Sequence, residues 1–114
     1  MSFPEQVYQA LGPLVADRCY PGQLPQDLAT FPAIYWNYIG TAENTVNGES
    51  DEESVRLEIN LVARRSDDLF VLRRPVSDAM HDTFDSTVRL TDMPVPYDES
   101  GGLFRRVLEF NVRA

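Results

Sequence analysis

His81 stands among carboxylates: Asp78 three residues before it, Asp82 beside it and Asp85 four residues after it. On a helix, positions three and four apart share a face, so Asp85 would orient the imidazole and Asp78 would join it as a metal ligand. A single histidine with carboxylates on an exposed face reads first as a solvated charged surface, and it is the only histidine in the chain. Cys19, beside Tyr20, is likewise the only cysteine, which rules out an internal disulfide and the usual zinc-finger spacings. A thiol nucleophile would need His81 to meet Cys19, and nothing in the spacing supports that, so Cys19 is expected to be a small packing residue. No G-x-S-x-G elbow occurs, because Gly48-Glu49-Ser50 runs on into Asp51, and a chain without lysine has no phosphate-binding G-x-x-x-x-G-K-[ST] loop. No catalytic residue, metal ligand or cofactor is therefore assigned, and the expectation is a protein that is not an enzyme.

The densest charge lies in Asn44–Ser54, "NTVNGESDEES", whose carboxylates are Glu49, Asp51, Glu52 and Glu53, with no basic residue among them. A calcium loop of the EF-hand kind alternates Asp or Asn before a glycine and places a bidentate Glu six residues after it. Here Val46 and Asn47 break the alternation and Glu53 falls five after Gly48, so that spacing fails. A looser cation site, a solvated hairpin tip and an acidic surface for a partner remain open readings.

Charge over the whole chain narrows the partners. Eighteen acidic and ten basic residues give a formal charge of -8 and a pI near 4.4, whereas affinity for a phosphate backbone comes from clustered cations, so a simple nucleic-acid binder is excluded. All ten cations are arginines, and six form the doublets Arg64-Arg65, Arg73-Arg74 and Arg105-Arg106. The planar guanidinium fork pairs well with carboxylates between surfaces, so the doublets are either solvated element edges or halves of interface ion pairs. With no basic leader and no apolar run near the roughly 20 residues a membrane span needs, the expected location is the cytoplasm, with no membrane partner. The 114 residues suit one domain, residues 1–114, with an ordinary globular composition.

The elements that would position these residues follow from periodicity. Val7, Tyr8, Leu11 and Val15 recur at helical spacing within residues 4–15, with Ser2 as the cap and Pro4 in the first turn. Residues 17–32 carry Pro21, Pro25 and Pro32 and are read as an ordered connector without regular structure. "AIYWNYIG", residues 33–40, is a strand apolar on both faces and hence expected to be central. Residues 54–65 alternate Val55, Leu57, Ile59, Leu61 and Ala63 with Arg56, Glu58, Asn60, Val62 and Arg64, the period-two pattern of a strand with one face on a core. Leu69, Leu72, Val76, Met80 and Phe84 mark a second helix capped by Ser66 and kinked at Pro75. Strands at about 87–97 and 103–113 flank the turn "DESGG" as a hairpin; in the second, Phe104, Leu108, Phe110 and Val112 share a face that Arg106 interrupts, so Arg106 must snorkel or find an acid. The order predicts an α+β domain: an antiparallel sheet of four strands or slightly more, with two helices on one face.

Taken together, "EQVYQALGPLV", "RCYPGQLPQ" followed by "FPAIYWNYIG", "NTVNGES" leading into "SVRLEINLVAR", and the closing "SGGLFRRVLEFNVR" resemble the small tail completion proteins of long-tailed bacteriophages and prophages, a family similar to tail terminator or tail-to-head joining proteins. Tyr20-Pro21, Pro25, Pro32, Gly48, Gly102 and Phe110 are the matching positions. Ala33 stands where the pattern has a larger side chain, and Pro75 interrupts a helix that the pattern leaves whole. The resemblance implies a structural role in virion assembly. Such proteins cap the tail tube as a homo-oligomeric ring, commonly a hexamer, between tail tube protein and the head connector or stopper protein, with DNA passing through without being specifically bound. It implies location in the virion at the tail-head interface, after assembly in the host cytoplasm. Glu49, Asp51, Glu52 and Glu53 with Arg64, Arg65, Arg73, Arg74, Arg105 and Arg106 are the candidate assembly interface. The contrasting expectation is a monomeric α+β binding or accessory module with an acidic, cation-binding loop.

Overall fold

The computed structural model describes residues 2–42, 54–84, 87–98 and 101–113. Along the chain these form a helix α1 (Phe3–Leu11) continued by a 3-10 turn (Gly12–Val15), strands β1 (Cys19–Pro21), β2 (Ala33–Ala42) and β3 (Ser54–Ala63), a helix α2 (Ser66–Thr83), and strands β4 (Val88–Asp98) and β5 (Leu103–Arg113). The sheet has the order β1-β2-β3-β5-β4, antiparallel throughout except for the parallel β1–β2 pair. This is the α+β arrangement expected, with both helices on one face.

Alternation explains which face. Antiparallel partners point the same way, so the register sets Ile34, Trp36 and Tyr38 of β2 beside Leu61, Ile59 and Leu57 of β3, and these beside Arg106, Leu108 and Phe110 of β5. Against that face α1 presents Val7 and Leu11, and α2 presents Leu69, Leu72, Val76 and Met80, all buried in one continuous core. Phe3 ties the layers together, its ring 5.9 Å from Tyr38 of β2 and 5.0 Å from Phe84 at the end of α2. Ala33, the smaller residue at this position, is fully buried.

Three local expectations change. The connector contains a strand after all: Cys19–Pro21 pairs with Ile34–Trp36, and β1 is an edge strand whose terminal proline removes no bond that a neighbour needs. Its ends are secured by Ile34 N–H donating to the Arg18 carbonyl and Gly22 N–H to the Trp36 carbonyl, each at 2.8 Å. β2 is consequently one strand from the edge, and β3 is central. Ser2 caps α1 as expected, its hydroxyl accepting from Glu5 N–H at 3.3 Å, but Ser66 is already inside α2; the capping position belongs to Arg65, which makes no side-chain cap bond. The acids of the first turn, Asp67 and Asp68, are left to complement the helix dipole. As expected, α2 contains Pro75 within its 18 residues, and burial of Leu72 and Val76 on either side holds the helix against the missing bond.

Among the described residues the opposite face of the sheet carries no helix. There Arg105 of β5 donates to the Tyr35 hydroxyl of β2 at 2.7 Å, a bond that spans β3. Between these two strands, Asn60 and Val62 of β3 are buried, at 0% and 5% exposure. Asn60 donates Nδ2–H to Glu58 Oε1 at 2.9 Å while its Oδ1 has no partner, and an unmatched buried acceptor costs about 1–3 kcal/mol. Asn60→Val suits the strand and removes that atom, so thermal melting should shift up by about 4 °C for each kcal/mol recovered; a lower melting point would show that the amide is satisfied in solution. Burial also pushes the Cys19 thiol up to about 12 from its ordinary 9.0. Only the unfolded chain then ionises between those values, so stability should fall as pH rises from about 9 to 12 and be insensitive to this group below that window. Native Cys19 should resist iodoacetamide at pH 8 and react once urea unfolds the chain.

Candidate assembly surface

Residues 49 and 51–53, the acidic half of the expected interface, lie outside the described residues. The three arginine doublets lie in three different settings. Arg64 and Arg65 occupy the corner between β3 and α2. There Arg64 donates to the Ala29 carbonyl at 3.3 Å and lies 5.0 Å above the Phe31 ring, holding the connector to the sheet. Among the described residues Arg65 approaches Asp67, at 3.9 Å with both side chains largely exposed, a pair that contributes little. Arg105 and Arg106 are neighbours on a strand and therefore point to opposite faces, Arg105 to Tyr35 and Arg106 to the helix side.

Under α2 the arrangement is different. Asp92 of β4 accepts from Arg106 Nε at 2.5 Å and from Arg73 at 3.3 Å, and Arg89 stands 3.6 Å away. The Asp92 side chain keeps only 12% of its exposure, and those of Arg106, Arg73 and Arg89 keep 17%, 24% and 39%. Three guanidinium groups thus share one carboxylate. Phe70 covers the group, with Arg73 4.2 Å and Arg106 5.8 Å from its ring centre, contacts that favour the cations by about 0.5–1 kcal/mol each. The acidic partner that Arg106 required is therefore found, and Arg106 remains on the apolar face because Asp92 comes to meet it.

Arg89 and Asp92 did not stand out in the sequence. They are three apart in a strand, which by strict alternation puts them on opposite faces. A bulge between Arg89 and Thr91 inserts one extra residue, Leu90, so that Arg89 pairs with Phe110 and Asp92 with Leu108, both on the helix side. The only trace in the sequence is "RLTD", a charge pair at a spacing typical of helices inside a segment otherwise read as a strand.

Beside this group, Arg73, Arg74, Ser77, Asp78, His81 and Arg89 line a cleft of about 430 Å³ open to solvent. His81 bonds through Nδ1 to the Ser77 carbonyl at 2.8 Å, which makes Nδ1 the protonated nitrogen. Asp85, its expected orienting group, lies outside the described residues, and among the described residues no three His, Cys, Asp or Glu side chains converge as metal ligands. No described helix is long and apolar enough to cross a membrane.

The fold occurs in a solved structure. A chain from the virion of a native gene transfer agent particle superimposes with a TM-score of 0.75 at 16% identity, over 98% of this chain and 93% of that one. The same layers thus occur there with few residues in common. No family model and no curated protein matches the sequence.

The shared carboxylate leads to a distinct expectation for single substitutions. Asp92→Asn leaves three guanidinium groups facing one another and should lower stability by about 2–3 kcal/mol in urea titration, with added salt restoring part of the loss. Arg89→Ala, which removes the most exposed of the three, should cost under about 1 kcal/mol.

Proposed function

We propose that this chain is a structural virion protein that caps a tail tube and joins it to the head connector, acting as a ring of identical copies. The observation that carries the reading is the end-to-end likeness of its fold to a chain of a gene transfer agent virion, and the order of sequence segments resembling tail completion proteins agrees with it. In this role the chain assembles and does no chemistry. Its partners are further copies of itself, six in the commonest arrangement, together with tail tube protein and a head connector or stopper protein.

Ring closure with identical subunits requires heterologous contacts, in which one surface meets a different surface of the neighbour. In the sequence carboxylates crowd residues 43–53, while in the structure Arg73, Arg74, Arg89 and Arg106 gather under and beside α2. An excess of carboxylates also suits a channel wall along which DNA slides, since a negative surface does not hold phosphates. Replacing Asp51, Glu52 and Glu53 with serine should reduce cosedimentation of the chain with purified tail tubes and the ring density seen at the tube end by electron microscopy. Unchanged capping would remove the acidic segment from the interface. A wild-type chain that stays monomeric, never binds tubes and melts in a calcium-dependent way would replace the whole reading with the monomeric accessory module.

A further inference from the structure

We infer that the cleft beside α2 is a carboxylate-binding site whose occupant is the acidic segment 43–53 of a second copy of this chain. The inference rests on the ring reading above for the presence of that second copy.

The cleft has more cation than the fold uses. Arg73, Arg89 and Arg106 have Asp92 as their common counter-charge, which leaves the group positive by two. Among the described residues Arg74 has no partner, although it is exposed at the mouth of the same cleft. Asp78 is the acid in the lining, so a net positive pocket persists on a chain whose overall charge is -8. Each guanidinium presents five N–H donors in a fixed plane, and those of Arg73 and Arg89 are held in place by Asp92, so part of the ordering a ligand would require is already done. An oxyanion with two acceptor oxygens is the ligand such forks fit.

Carboxylate and phosphate share that chemistry, and charge decides between them. A nucleic acid would approach a surface carrying eight net negative charges and find one cluster of cations rather than a track of them, which suits a polyanion poorly. The chain itself provides Glu43, Glu49, Asp51, Glu52 and Glu53 within eleven residues, with no cation among them. That segment matches the cleft in the sign of its charge. Contact between copies joins two unlike surfaces, the form a closed ring needs.

The test uses a fluorescent peptide of residues 43–54 with blocked ends, titrated by anisotropy into full-length chain. In a D51N/E52Q/E53Q host, binding should weaken at least tenfold on adding Arg74→Ser, at least tenfold when every carboxylate of the peptide is changed to an amide, and steadily as salt rises from about 50 to 300 mM. Because Arg74 is exposed and unpartnered, its replacement leaves the fold intact. No binding, or binding indifferent to Arg74, overturns the proposal. Wild-type chain, diluted until sedimentation shows a monomer, should bind the peptide as well as the neutralised host does. A wild-type monomer that resists the peptide would mean that the segment fills its own cleft, and this too overturns the inference. So would displacement of the peptide by a short DNA duplex at lower charge concentration than by unlabelled peptide. Tube capping is measured separately: peptide binding can fail while capping persists, or hold while capping fails, so the two proposals fall independently.

Discussion

Everything in this fold is referred to β3. It pairs over its whole length with β2 on one side and β5 on the other, so its register decides which residues of three strands face the helices. A slip of one residue would turn Leu57, Ile59 and Leu61 to the open face and bring Glu58, Asn60 and Val62 under α2. Burying the Glu58 carboxylate while taking Leu57, Ile59 and Leu61 out of the core is the strongest reason for one register, and it is written in the strand's own alternation. β1 and the connector are attached to this frame by a few bonds: the ends of β1 on β2, Arg18 on the Pro32 carbonyl and Arg64 on the Ala29 carbonyl.

The same alternation gives the sheet two faces of different character. One is closed by α1 and α2 over an apolar core. The other is held by cross-strand polar contacts, namely Arg105 with Tyr35 and Arg56 with Glu109, the latter also accepting from Thr91. At the β4 edge the apolar face becomes charged, since Arg106 continues the row of Leu108 and Phe110, and Asp92 and Arg73 neutralise it in part. A carboxylate shared by three arginines is a stable neutraliser only where water still reaches the outer guanidinium groups. The partial exposure of Arg89 meets that condition, and it also leaves positive charge facing the cleft.

Much of this was legible in the residues. Both helices, the alternating β3 and the hairpin of β4 and β5 follow from spacing, because each buries one face and the period of that face is local. The edge strand β1 was hidden by its prolines, since a three-residue strand whose bonds come from a partner fifteen positions on has no period of its own. Ser66 is a good cap by type and so places the N-terminal limit of α2 one residue late, whereas the structure has Arg65 in that place, in extended backbone at the end of the β3 corner. Arg106 announced its need for an acid by interrupting an apolar row, but the identity of that acid did not follow, because the bulge at Leu90 changes the face of every later residue in β4.

By itself, then, the sequence determined the composition of the faces and the segregation of charge: a -8 chain with all its cations as arginine, five carboxylates crowded into residues 43–53, and apolar rows at two distinct periods. Those properties depend on residue type and local spacing alone. Only the tertiary structure decided which arginines act together. Arg105 and Arg106 are adjacent in the chain and separated by the thickness of the sheet, while Arg73, Arg89 and Arg106, from one helix and two strands, meet at Asp92. Convergence of that kind is set by strand order, a bulge and the angle at which α2 crosses the sheet, none of which leaves a local periodic signal.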